Sequence, residues 1–118
     1  MCGITGLFYN NIGNALEVYE SLLSIQHRGQ DGAGICSIDN EKDEIIKGKG
    51  LICNLFNYNI LQNMKGRMFI GHTRYKTNNV KNSFQPFILK NDRFQMSFCH
   101  NGNIINVDEI EDLLKSEY

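Results

Sequence analysis

Several features are missing from this sequence, and each absence narrows its function. No apolar run approaches the length needed to cross a membrane. The start, Met1-Cys2-Gly3-Ile4, has neither the positive region nor the apolar stretch of a secretory signal. There is no charge excess: 12 Lys and Arg face 13 Asp and Glu, for a net charge of -1, and no basic stripe stands out. Neither nucleic acid nor an anionic membrane is therefore expected as a partner. The four cysteines, Cys2, Cys36, Cys53 and Cys99, contain no C-x-x-C pair. That spacing argues against a zinc site, an iron–sulfur cluster or a compact disulfide framework, and reduced thiols in the cytoplasm are expected. His27, His72 and His100 are not spaced as metal ligands either and read as structural. No metal and no cofactor are expected. No repeat, low-complexity tract or linker interrupts the chain. What remains is 118 residues, 42% hydrophobic, enough for one domain with its own core.

The first residues carry an unusual feature, a cysteine directly after the initiator methionine. A small residue at position 2 invites removal of Met1. Cys2 then carries a thiol and a free α-amine together, a self-contained nucleophile and base. An α-amine titrates near about 7.7, which suits general-base work at neutral pH. Position alone allows the plainer reading, that Cys2 merely begins a buried strand.

Periodicity and turn residues divide the rest. Ile4 to Tyr9 reads as a strand, ended by Asn10-Asn11. Asn14 caps a helix to about Gln26, with Leu16, Tyr19, Leu22, Leu23 and Gln26 near one face. The segment from Gln26 to Gly34 reads as a loop, with three glycines in its last six residues. Ile35 to Ile38 and Glu44 to Lys47 form a hairpin, and Leu51 to Met64 reads as one helix closed by Lys65-Gly66. Arg67 to Ile70 is a short strand leading into Gly71-His72-Thr73-Arg74-Tyr75-Lys76-Thr77. Val80 to Ser83 is loop. Phe87 to Lys90 and Phe94 to Cys99 make a second hairpin, ending at His100-Asn101-Gly102-Asn103. Asn106, with Glu109 three residues on, opens a last helix from Val107 to Lys115. Locally paired strands punctuated by helices predict an α+β fold with antiparallel sheets.

Four segments carry polar or glycine-rich chemistry at strand ends: Cys2-Gly3-Ile4, His27-Arg28-Gly29-Gln30-Asp31, Gly71 to Thr77, and His100-Asn101-Gly102-Asn103. Each alone is weak, since Asn-Gly is usually a turn and Arg beside Gly a surface loop. Together, in this order after a position-2 cysteine, they resemble the glutamine-hydrolysing domain of the class II, N-terminal-nucleophile amidotransferases. The resemblance runs from Cys2 to about Leu114. Gln30, Gln85-Pro86-Phe87 and Asn103 favour the branch that opens purine synthesis. The glucosamine-6-phosphate synthase branch is the sister reading, and Gly71-His72-Thr73-Arg74 fits it equally well.

The resemblance implies an αββα sandwich, antiparallel sheets between helices, and the conversion of L-glutamine and water to glutamate and ammonia. It implies Cys2 as nucleophile and Asn101 and Gly102 as the oxyanion hole. Arg74 would grip the substrate carboxylate, with Thr77 and Asn78 beside it, and Arg28 and Gly29 would orient the Cys2 terminus at the edge of the substrate site. Asp31 would hold its loop together. Lys76 stands where the family commonly has a small residue. The family's ammonium-binding aspartate has its expected place beyond Tyr118, as do the later strands of the sandwich and the phosphoribosyltransferase domain. The whole chain, 1–118, thus reads as the N-terminal part of a glutamine amidotransferase domain, incomplete at its C-terminus. A subunit or domain that accepts ammonia, within an oligomer or hetero-complex, would complete it. The alternatives are an inactive fragment or a non-catalytic binding module of the same fold.

Overall fold

The computed structural model describes residues 1–39, 42–76 and 83–117. Strand β1 (Gly3–Asn14) leads into helix α1 (Leu16–Ser24) and a 3-10 turn (Gln26–Arg28). Strands β2 (Gly32–Ile38) and β3 (Glu44–Lys49) follow, then the short helices α2 (Ile52–Leu55) and α3 (Tyr58–Asn63), and strand β4 (Lys65–Arg74). Strands β5 (Phe87–Lys90) and β6 (Gln95–Phe98) and helix α4 (Val107–Glu117) complete the order. The first four strands form an antiparallel sheet in the order β1-β4-β2-β3, and β5 and β6 pair as a second, two-stranded sheet.

One face of the larger sheet carries the core. Ala15, Val18 and Leu22 pack with Ile35, Ile52 and Phe69, all buried. Asn14 assists the start of α1, because its Oδ1 accepts the Leu16 N–H at 3.0 Å. The buried stripe is turned slightly from the sequence expectation. Val18 is buried, whereas Leu23 is 43% exposed.

Four expected elements differ. β1 does not end at Asn10-Asn11 but runs on to Asn14, because Gly13 and Asn14 pair with Gly66 and Lys65 beyond an irregularity in the ladder. The Leu51–Met64 helix is two helices, because Phe56 adopts an extended conformation and drops into the core. Asn57 then restarts the helix by accepting the Ile60 N–H at 2.9 Å. β4 is a ten-residue central strand that includes Gly71 to Arg74, since it has a partner on each side. The glycine-rich stretch expected as loop splits: Gln26–Arg28 is a 3-10 turn, while Gly32, Ala33 and Gly34 already belong to β2. β2 is buried on both faces, and a Cβ at Gly34 would collide with the Gln85 carbonyl oxygen. Glycine there lets the chain before β5 lie directly on the sheet.

That second layer is anchored by a few polar contacts. Lys47 Nζ donates to the Pro86 carbonyl at 2.7 Å and lies 4.6 Å from the centre of the Phe87 ring. The Cys99 thiol reaches the Gly71 carbonyl at 3.9 Å.

Candidate active site

The first strand sets the position of the nucleophile candidate. Gly3 pairs with Thr73, and a Cβ there would lie 2.6 Å from Thr73 Oγ1 and 2.9 Å from the Ile25 side chain. Glycine therefore lets β1 press onto β4, which brings Cys2 level with the end of β4 at Arg74 and Tyr75. Four contacts then hold Cys2. Its backbone N–H donates to Asn101 Oδ1 at 3.1 Å, and its carbonyl accepts from Arg28 Nε at 3.1 Å. Its sulfur faces the Tyr75 N–H at 3.4 Å and the Tyr75 carbonyl at 3.8 Å. Met1 is 74% exposed, open to a processing enzyme, and lines a cavity with Cys2, Tyr75 and Asn101.

The first and last motif segments, 99 residues apart in sequence, thus meet at one nitrogen. Because the Cys2 N–H requires an oxygen acceptor, the Asn101 amide is oriented with Oδ1 toward Cys2. Its Nδ2 donors remain for another oxygen. Cys2, Arg74, Tyr75, Gln85, Gly102 and Asn103 line a common cavity of about 780 Å³. Arg74 is 92% buried in its wall, and its guanidinium lies 5.7 Å from the centre of the Phe84 ring. A smaller cavity of about 370 Å³ is lined by Cys2, Ile4, Ile25, Arg28 and Asn101. Gly29 lines neither. It lies against the Arg74 backbone, where a Cβ would collide, so its place is that of a spacer between loop and strand. Thr77 and Asn78 lie outside the described residues.

The other thiols differ from Cys2 in their surroundings. Burial, reinforced by the neighbouring Cys36, pushes the Cys99 thiol up to about 11. Burial also raises the Cys36 thiol. Cys53 is exposed and lines none of these cavities. His72 is fully buried between the two layers, and desolvation lowers it to about 4, so its imidazole is neutral at working pH. Among the described residues, no group of three or more His, Cys, Asp or Glu is gathered as a metal site.

Two positioning features escaped the sequence reading. Gln85 grips the His100 backbone from both sides: Oε1 accepts the His100 N–H at 2.6 Å, and Nε2 donates to the His100 carbonyl at 3.2 Å. This grip fixes the residue preceding Asn101. The sequence marked Gln85-Pro86-Phe87 only as part of the resemblance, and nothing in it pointed to a grip on His100. The second feature is the Tyr75 peptide, a backbone group that no side-chain pattern reveals.

No protein-family model matches the chain. It is 39% identical over 113 residues to an amidophosphoribosyltransferase of Methanocaldococcus jannaschii, covering 93% of this chain and 24% of the relative. A Bacillus subtilis glutamine phosphoribosylpyrophosphate amidotransferase structure, complexed with ADP and GMP, superposes with a TM-score of 0.74 at 35% identity, over 98% of this chain and 24% of that one. A structure described as the allosteric regulatory enzyme of purine biosynthesis superposes with a TM-score of 0.77 at 33% identity, over 99% and 25%. The chain thus spans about a quarter of the length of the relatives it matches.

Proposed function

Because the chain belongs to the amidophosphoribosyltransferase family, over the glutamine amidotransferase part of it, we propose that it hydrolyses L-glutamine to glutamate and ammonia through a thioester on Cys2. The observation that carries this reading is the contact between the Cys2 nitrogen and Asn101 Oδ1, at the cavity that Cys2 and Arg74 both line. Once Met1 is removed, that nitrogen is a primary amine. In its neutral form it takes the thiol proton while the sulfur attacks the side-chain amide carbon of glutamine. Charge develops on the amide oxygen, where Asn101 Nδ2–H and Gly102 N–H are the donors. The protonated amine returns its proton to the departing nitrogen, which leaves as ammonia. The same amine then takes a proton from water, whose oxygen attacks the thioester and releases glutamate.

Arg74 offers a planar, two-pronged grip for the α-carboxylate of glutamine. Thr77 and Asn78 extend that contact in this reading. Arg28 orients the Cys2 terminus through its carbonyl, and Gly29 lets the Arg28 loop approach β4. Ammonia would pass to a further domain or subunit, and purine synthesis is the favoured setting because one similar structure is described as an enzyme of purine biosynthesis. The proposed place of work is the cytoplasm, in an oligomer or hetero-complex. No helix among the described residues is long and apolar enough to cross a membrane.

The test is intact-mass analysis before and after treatment with a diazo-ketone analogue of glutamine. A chain lacking Met1 that gains one adduct, mapped to Cys2, is expected. A chain that loses Met1 yet takes no adduct would instead be a non-catalytic module of the same fold.

A further inference from the structure

Among the described residues Asp31 makes three hydrogen bonds, two of which bracket a single residue, Tyr75. Its backbone N–H donates to the Arg74 carbonyl at 3.0 Å, and its carboxylate Oδ2 accepts the Lys76 N–H at 2.8 Å. Tyr75 lies between those two anchor points. The third contact runs the other way: the Asp31 carbonyl accepts the Gly50 N–H at 3.2 Å, tying the bracket to the end of β3. The bracketed Tyr75 N–H is the group that faces Cys2 Sγ at 3.4 Å. A backbone donor aimed at a sulfur stabilises the negative charge that sulfur carries when it attacks. The Asp31 backbone N–H anchors the carbonyl of that same peptide, and the Asp31 carboxylate anchors the next peptide at its N–H, so the backbone on both sides of Tyr75 is tied to Asp31.

We propose that Asp31 is a positioning residue that holds the Tyr75 N–H on the Cys2 sulfur and thereby sets the reactivity of that thiol. The proposal rests on the reading of Cys2 as the nucleophile. It assigns Asp31 no contact with substrate. Asp31 lines none of the cavities around Cys2, in contrast to Arg74 and Tyr75.

The four cysteines supply their own reporters. Cys53 is exposed and serves as the internal reference, and Cys36 is fully buried and is labelled only when the chain opens. The full chain is treated with limiting iodoacetamide, and adducts are quantified site by site by peptide mass spectrometry. The wild type is expected to label Cys2 well ahead of Cys53. Asp31→Ala is expected to lower the Cys2-to-Cys53 ratio about tenfold, the scale of one hydrogen bond to a charged group, with Cys36 still protected. Asp31→Asn keeps a side-chain oxygen for the Lys76 N–H and should restore most of the ratio. Lys76→Pro deletes the same hydrogen bond from its other end, at an exposed position, and should match Asp31→Ala. It decides the matter if Asp31→Ala exposes Cys36. A high wild-type ratio left unchanged by Lys76→Pro, or by a folded Asp31→Ala, overturns the proposal alone. A wild-type ratio near one overturns the nucleophile reading and this proposal with it.

Discussion

The two ends of this chain are built to different standards. From β1 to β4 the molecule has a continuous buried core, and β2 is covered on both faces. From β5 onward it has almost none: α4 contains no buried residue, and Ile110, Leu113 and Leu114 are 38%, 58% and 52% exposed. The candidate site is divided between them. Cys2, Arg28 and Arg74 stand on the packed region, while Asn101 and Gly102 stand on the open one. The proposed nucleophile therefore stands on the packed scaffold, and its proposed oxyanion donors are held by a handful of hydrogen bonds. Packing sets the strand that carries Cys2, whereas polar contacts hold Asn101 and Gly102, the proposed oxyanion donors.

The strongest way to break this comparison is to remove the group on which the packed side depends. Cys2→Ala should lower glutamine hydrolysis by about four orders of magnitude or more. Cys36→Ala and Cys99→Ala should retain most of it, because Cys36 is buried, Cys99 is half-buried, and desolvation raises both thiols. Equal loss from all three, measured as ammonia release, would mean the effect is on folding and the nucleophile is misassigned. The packing contrast itself can be tested next. Leu22→Ala, at a fully buried position, should cost about 3 kcal/mol in urea unfolding. Leu113→Ala should cost less than about 0.5 kcal/mol. A large loss at Leu113 would show that α4 is covered in solution and that the open region is not open.

The same division explains what the sequence made legible. Strands with a simple outcome were readable: the second hairpin and the α4 start, where Asn106 Nδ2 meets Glu109 Oε2 at 3.3 Å, lie where turn and cap residues place them. The candidate site was visible as four motifs, because Cys, Arg and Asn-Gly advertise their chemistry, and the structure brings Cys2, Arg28, Arg74 and Asn101 together. Elements shaped by neighbours were not. Gly32 and Gly34 looked like loop, since nothing local reports that Phe84 and Gln85 will lie against them. The break at Phe56 depends on a core that must first exist. The Tyr75 peptide carries no side-chain signature at all.

A smaller effect concerns the seam between the regions. His72 lies there, fully buried, with its folded value lowered from 6.5 to about 4, chiefly by desolvation. The unfolded chain takes up this proton first as pH falls. The contribution is therefore complete above about pH 6.5 and is lost as pH falls toward 4. Between pH 7.5 and 5 this one group should remove about 2 kcal/mol. His72→Gln should flatten that part of the curve of unfolding free energy against pH. An unchanged slope would mean that water reaches the seam and that the two layers are less firmly joined than the geometry indicates.

The finest test addresses the strap that crosses the seam. The Gln85 backbone is seated on Gly34 in the packed region, and its side chain grips His100 in the open one. If the donors depend on that grip, Gln85→Ala should lower kcat about tenfold with KM nearly unchanged, because the proposed α-carboxylate grip is that of Arg74 on the packed region. Gln85→Glu keeps an acceptor for the His100 N–H but loses the donor to the His100 carbonyl, so an intermediate loss is expected. The decisive comparison is a double-mutant cycle with Asn101→Ala. A residue that acts through Asn101 has nothing left to position once that side chain is gone, so Gln85→Ala should then cost almost nothing more. Full additivity of the two losses would show that Gln85 supports the fold of the second sheet in general, and that the oxyanion donors are held by something other than this strap.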